Sequence, residues 1–247
     1  MLMASVAERA MDGSDPMCEE IVGCGVSGHA PVTDAAAKGR KLLRQQAAIA
    51  GFGSFALREP DLTKIVTEAA RACADGLGTP FSQVWQYRAE KHDLIVVAGY
   101  GCRHEVAGHV VSCADPRSSQ GRAFSTGEIS ILGDLQKSNC ELPPFYAAHG
   151  IVSIIDVIIT DGDDQPYGIL EIGADRPRDY DRDDIDFLTG FAGVLAEAVS
   201  SASREAALQV SIDQLKALID EKERLLCEKN VADLQLRQAQ KMQRSVN

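Results

Sequence analysis

Four groupings in this 247-residue chain have the residue types that do chemistry. Gly23-Cys24-Gly25-Val26-Ser27-Gly28 has GxGxxG spacing, which cradles phosphate only between a strand and the helix opening from it. Here only Ile21 and Val22 precede it, Pro31 stands where the helix should be established, and no second strand ending in an acidic residue follows. His104-Glu105 and His109 imitate a zinc-protease motif with one residue too many between the histidines. Residues five apart lie about 140° round a helix, or on opposite faces of a strand, so no local metal site is expected. The seven cysteines (Cys18, Cys24, Cys73, Cys102, Cys113, Cys140, Cys227) contain no CxxC pair; an odd, scattered set fits a reducing cytoplasm rather than a disulfide framework. Finally, Asp156 interrupts an apolar run, and a buried carboxylate is costly unless hydrogen-bonded or paired. It either serves a ligand or switch, or makes a structural hydrogen bond.

The elements that must position these residues follow from periodicity. Residues 1–33 mix Gly, Ser, Pro and acidic residues without a period and read as a mobile leader. Residues 34–57 carry Leu42, Ile49, Phe52 and Ala56 at helical spacing, with Gly51 and Gly53 expected to weaken or interrupt the helix. After a break at Glu59-Pro60, Asp61 is placed to cap a second helix, whose Leu62, Ile65, Val66, Ala69, Cys73 and Leu77 share one face and which ends at Gly76 and Gly78. Residues 82–87 and 94–100 read as strands joined by a polar turn, and 106–112 as a further short strand. Residues 115–150 read as short helices and loops around a short apolar strand at 129–132. The β-branched run 151–159 suits a central strand covered on both faces, paired with 167–172 across the turn at 161–165. Asp181 can cap the next helix, with Asp183 and Asp184 in its first turn favouring the helix dipole and Ile185, Leu188, Phe191, Ala192, Leu195 and Val199 as its buried stripe.

That helix has no evident stop. From Arg204 onward there is no Gly or Pro, and Leu208, Ile212, Leu215, Ile219 and Leu226 keep an approximate seam interrupted by Lys222 and Lys229. Such a seam usually meets another helix; the alternative is a solvated helix lying on its own domain.

Composition narrows the partners. A net charge of −11 offers no basic field to displace phosphate counterions, so a nucleic-acid partner is not expected, nor an anionic membrane surface. No apolar run is long enough to span a bilayer, and the N-terminus lacks the apolar core of a secretory signal, so a cytoplasmic protein is expected.

Taken in order, 43–57, 61–78, SSQGRAFSTGE at 118–128, Asp134-Leu135, HGIVSIIDVII at 149–159 and YGILEIGADRPRDYDRDDIDFLTGFAGVLAEAV at 167–199 resemble the GAF domain, in particular the GAF domains that precede bacterial sensor histidine kinases. The resemblance implies an α+β fold: a central antiparallel sheet of five or six strands, helices on one face, a small-molecule pocket on the other, and first and last helices that lie side by side and commonly dimerise. The domains are then 1–33 leader, 34–200 GAF sensory domain and 201–247 coiled-coil-like signalling helix. The expected pocket lies between the 151–159 strand and the 115–150 segment, with Tyr100, Ser119, Asp134, Phe145, His149 and Asp156 as candidate contacts.

The same resemblance sets the competing functions. VADLQLRQAQKMQ looks like the lead-in to a kinase dimerisation helix, yet no histidine follows His149 and no ATP-binding segment follows either. A non-enzymatic, dimerising input module is therefore expected, acting on a kinase or other output domain through an unnamed small ligand. Bilin-binding relatives attach chromophore through a cysteine near Cys140, but Glu141 follows here where those proteins often have His. Haem-binding relatives place an axial His where Tyr146 stands. No cofactor is required on this reading, and neither bilin nor haem is expected. GAF-fold methionine sulfoxide reductases need an activated, accessible thiol with a resolving partner; Cys102 and Cys113 lack an obvious flanking base, so the thiol enzyme and the chromoprotein stand as alternatives.

Overall fold

The computed structural model describes residues 30–102, 106–160 and 166–245. The chain divides into units Met1–Ala37 and Lys38–Asn247. Of the first, only the start of helix α1 (Ala30–Ala56) is described. The glycine-rich segment 23–28, residues 1–29 of the expected leader and His104-Glu105 lie outside the described residues; residues 30–33 of that leader begin α1.

The second unit continues α1 and adds α2 (Leu62–Leu77), β1 (Phe81–Arg88), β2 (Asp93–Tyr100), β3 (Val111–Cys113), α3 (Ser119–Thr126) and β4 (Ser130–Leu132). A 3-10 turn at Leu135–Lys137, α4 (Phe145–His149), β5 (Ser153–Thr160), β6 (Pro166–Ala174) and α5 (Arg182–Ser245) complete it. The strands form one sheet in the order β3-β2-β1-β6-β5-β4, every neighbouring pair antiparallel.

Alternation along the central strands splits the interior in two. Ile155, Val157 and Ile159 of β5, with Leu170 and Ile172 of β6, pack against Ile65, Val66, Ala69 and Cys73 of α2 and Leu188, Phe191 and Leu195 of α5. Ile154 and Ile169 point to the other face, with Trp85, Leu94 and Val96, where Ala123 of α3 and Phe145 and Tyr146 of α4 cover them. Each fully buried Leu, Ile or Phe side chain contributes about 1.5–3 kcal/mol. Both faces are thus strong, which explains the near-continuous apolar composition of β5.

Local chemistry fixes the helix ends. The Asp61 side chain accepts from Thr63 N at 2.9 Å, Gly78 closes α2 in the left-handed conformation, and Asp181 Oδ1 accepts from Asp184 N at 2.9 Å to start α5. Gly168 is required by contact: a Cβ there would lie 1.8 Å from the carbonyl oxygen of Trp85, so no larger residue lets β6 lie against β1.

Three expectations need correction. α1 runs through Gly51 and Gly53 without interruption; burial of Phe52 against the core outweighs a penalty of about 1 kcal/mol per glycine. The strand expected over 106–112 is Val111–Cys113, because Val106–Val110 closes a turn in which Gly108 N donates to Val96 O and Val110 N to Val106 O. α5 also contains a stretch long and apolar enough, by length and composition, to cross a bilayer. Yet Phe187, Leu188, Phe191, Leu195 and Val199 within the helix are buried in the domain core.

Beyond Ala202, α5 leaves the domain. Every described residue from Ser203 to Met242 is exposed, including Leu208, Ile212, Leu215, Ile219 and Leu226. The helix passes position 200 without a break, and among the described residues nothing covers its apolar seam.

Candidate functional site

A row of polar residues crosses the α3/α4 face of the sheet. Register pairs Ser130 of β4 with Asp156 of β5, Asp156 with Glu171 of β6, and Glu171 with Gln83 of β1. All four are buried. Directly paired residues share a face, so the row is a consequence of strand register.

Two short helices bring donors to it. The Ser118 side chain caps α3 by accepting from Gly121 N at 2.9 Å, which sets Ser119 and Gln120 against the sheet. Ser119 Oγ donates to Asp156 Oδ2 and lies 2.9 Å from Ser130 Oγ. Gln120 Nε2 donates to Glu171 Oε2 and reaches the Tyr146 hydroxyl, while its Oε1 accepts from Ser112 Oγ at 3.2 Å. From α4, Tyr146 OH donates to Glu171 Oε2 at 2.5 Å.

The electrostatics are those of a carboxyl pair in an apolar interior. Burial, then the neighbouring Glu171, drives the Asp156 carboxyl well above the usual carboxylate range. Burial also raises Glu171, opposed by donors on Tyr146, Gln120 and Asp156. Trp85 Nε1 favours the ionised form of Glu171 from nearby without hydrogen-bond geometry. Two such groups titrate as a unit, and burial biases the pair toward holding a proton between them. Burial, then the two carboxyls, keeps the Tyr146 phenol protonated well above its ordinary range.

The candidate residues from the sequence separate. Ser119 and Asp156 meet in the row. Phe145 is buried beside it, its ring 6.1 Å from that of Trp85. His149 ends α4, with Nδ1 2.8 Å from Phe145 O and its ring edge-on to Phe145 at 6.0 Å. Asp134 instead caps the 3-10 turn, accepting from Gln136 N at 3.1 Å and pairing with Lys137 at 3.0 Å. Tyr100 ends β2, partly exposed, near Arg71 of α2. Sequence reading missed Glu171, Gln120 and Gln83. Glu171 carried a signal, since it interrupts ILEIGA as Asp156 interrupts SIIDVII; Gln120 and Gln83 carried none.

The cysteines are placed as follows. Gln83 Nε2 donates to Cys102 Sγ at 3.4 Å, and burial pushes that thiol up, away from thiolate character. Cys113 Sγ lies 3.9 Å from Glu141 Oε2, and Arg122 Nη2 donates to Cys140 Sγ at 3.0 Å. Among the described residues no cluster of three or more metal-ligating side chains occurs. A groove of about 770 Å³ lies elsewhere, between the end of α1 and α5, lined by Gly53, Leu57, Pro60, Gly193, Val194 and Ser201 among others.

The family model of the GAF domain matches residues 59–200, more than half of the chain. The chain belongs to the GAF family. Among curated proteins none matches by sequence. Among solved structures, the GAF domain of a phosphoenolpyruvate-protein phosphotransferase from Coxiella burnetii superposes with a TM-score of 0.61 at 13% identity, over 67% of this chain and 98% of that one. The free methionine-R-sulfoxide reductase of Neisseria meningitidis, in complex with its substrate, gives 0.56 at 17% identity over 66% and 91%. Residues 122 to 287 of a methyl-accepting chemotaxis protein give 0.53 at 19% identity over 61% and 96%. At these identities the likeness is one of fold. In this GAF domain the polar row lies on the face opposite α2 and α5, beneath α3 and α4.

Proposed function

We propose that this chain is a sensory GAF module of signal transduction, without a catalytic step of its own. It pairs with a second copy along α5 and passes the state of its domain to a histidine kinase or other output protein. One observation carries the reading. A single 64-residue helix is core for its first turns and solvent-exposed with an apolar seam for the rest. Exposed apolar residues at seam spacing favour a helical partner. The groove between α1 and α5 includes Gly193, Val194 and Ser201 on the part of α5 preceding that seam. Fold likeness to part of a chemotaxis protein supports the same class.

The mechanism is population shift. A ligand held on the α3/α4 face moves the helix pair only by its differential affinity for the two packings. The test is solution mass by light scattering. The wild type is expected at twice the chain mass and Ile219→Asp at the monomer mass. An unchanged dimer mass for Ile219→Asp counts against pairing through this seam.

A further inference from the structure

The charge and hydrogen bonds of the polar row indicate what it accepts; this inference rests on the sensory reading and names the ligand class. Asp156 receives Ser119, while Glu171 receives Gln120 and Tyr146; none of these donors is cationic. Asp156 Oδ1 and Glu171 Oε1 are buried and receive no N–H or O–H beyond the proton that the carboxyl pair itself holds. The third oxygen is independent of the acidic pair: Gln83 Oε1, on a fully buried side chain, also lacks a donor, and Gln83 is the registered neighbour of Glu171. Three adjacent strands therefore present acceptors in one row.

A buried ionised carboxylate is costly unless it is compensated. In the free protein a shared proton compensates the pair. A ligand bringing positive charge and several N–H donors compensates it more fully and also satisfies Gln83. The rings of Trp85, Phe145 and Tyr146 beside the row suit a flat or compact organic cation. The net charge of −11 draws cations toward the molecule.

We propose that the α3/α4 face binds a small organic cation with several N–H donors, an amidinium, guanidinium or primary ammonium, held by Asp156, Glu171 and Gln83. Binding sends the shared proton to solvent, leaving both carboxylates ionised against the cation. The other titratable groups facing the pair are the Tyr146 phenol from α4, Cys140 from the loop before it, which disfavours ionisation of Asp156, and the Tyr180 phenol ahead of α5, which burial first and the Asp156 charge among lesser causes push up. The Cys102 thiol, on the segment after β2, faces Glu171. Because a proton leaves, apparent affinity rises with pH until the free pair has itself ionised.

Calorimetric titration of the full chain tests this, with methylguanidinium and butylammonium as probes, methylurea as the neutral isostere, and two buffers of different ionisation heat. Saturable binding of a cationic probe is expected, releasing up to about one proton. Asp156→Asn and Glu171→Gln should each weaken binding by about 10-fold or more. Gln83→Met retains both carboxyls and should weaken binding by about 5-fold with proton release intact. Three results overturn the assignment: no saturable heat with either cation, methylurea binding as tightly as methylguanidinium, or full affinity in both carboxyl variants. Light scattering on the same samples separates the two readings. A dimer that binds no cation overturns this assignment alone, whereas a monomer that binds one overturns the paired-helix reading alone.

Discussion

The Phe52 ring of α1 stacks on Phe191 of α5, centroids 4.8 Å apart and planes 23° from parallel. Phe187 adds a tilted contact at 5.8 Å. This cluster joins α1 to the helix that leaves the domain. Phe52→Ala should lower unfolding free energy by about 3–5 kcal/mol, read as a fall in the urea midpoint with unchanged slope.

Gly168→Ala should be at least as damaging. The new methyl would meet the backbone of Trp85, not a movable side chain, so β1 and β6 must part, at about 3 kcal/mol or more. Trp85 is the single tryptophan and is fully buried. A red shift of its fluorescence should report the loosening before global unfolding.

The carboxyl pair makes stability depend on pH with a defined sign. The folded Asp156 pKa lies above its unfolded value, near 3.9. Its contribution is fully present below that value and is lost as pH rises through the folded pKa. Asp156→Asn keeps the shape and removes the ionisation. Its melting temperature should exceed that of wild type at alkaline pH, with the gain shrinking toward pH 4. A constant difference across that range would contradict the shared proton.

A second pH effect has the opposite sign. Lys41 of α1 pairs with Asp181 at 2.6 Å and with Asp184 at 2.8 Å, and Asp184 also holds Arg178 at 3.2 Å. The Lys41 contact holds Asp181 below its ordinary range. That stabilisation is present above an unfolded pKa near 3.9 and is lost as pH falls through the lower folded value. The Asp181 side chain is 60% exposed, so this part is worth less than about 1 kcal/mol. Lys41→Met also strips a partner from buried Asp184, for a total loss of about 1–3 kcal/mol near neutral pH. The loss should narrow in acid, as thermal melts from pH 7 to 3 would show.

Thiol reactivity should follow burial. Cys73 is fully buried and its thiol is driven well above the ordinary range, whereas Cys227 stands exposed on α5. Under native alkylation followed by peptide mass mapping, Cys227 should label and Cys73 should stay protected until denaturant is added.

The fold was legible where sequence patterns are governed by local rules. The Asp61 cap, the α2 stripe, and the turn between β1 and β2 all follow from neighbours within a few residues. What escaped depends on distant partners. Gly51 and Gly53 read as helix breakers because Phe191, some 140 positions away, is invisible to a local pattern. The 106–110 turn forms because Gly108 N finds Val96 O across the chain. At the site, Asp156 was conspicuous as one charge in an apolar strand. Glu171 gave the same signal, but its meaning lies in a register that places it opposite Asp156. Gln83 and Gln120 are ordinary residues until strand pairing and the α3 cap bring them into the row. Asp134 and Tyr100 were selected by resemblance, while the structure places them at a 3-10 cap and a strand end.

α5 contains no glycine after Gly193 and no proline, so one unbroken hydrogen-bond ladder serves both the packed turns around Leu195 and the exposed turns around Leu236. At 1.5 Å per residue the stretch from 203 to 245 measures about 65 Å. A helix of this kind has little torsional slack. A few degrees of roll imposed at Phe191 reappear as a comparable roll at the far end, sweeping Leu234 and Leu236 to a new azimuth. On the sensory reading proposed above, the domain has no need to travel toward its output; turning in place is enough.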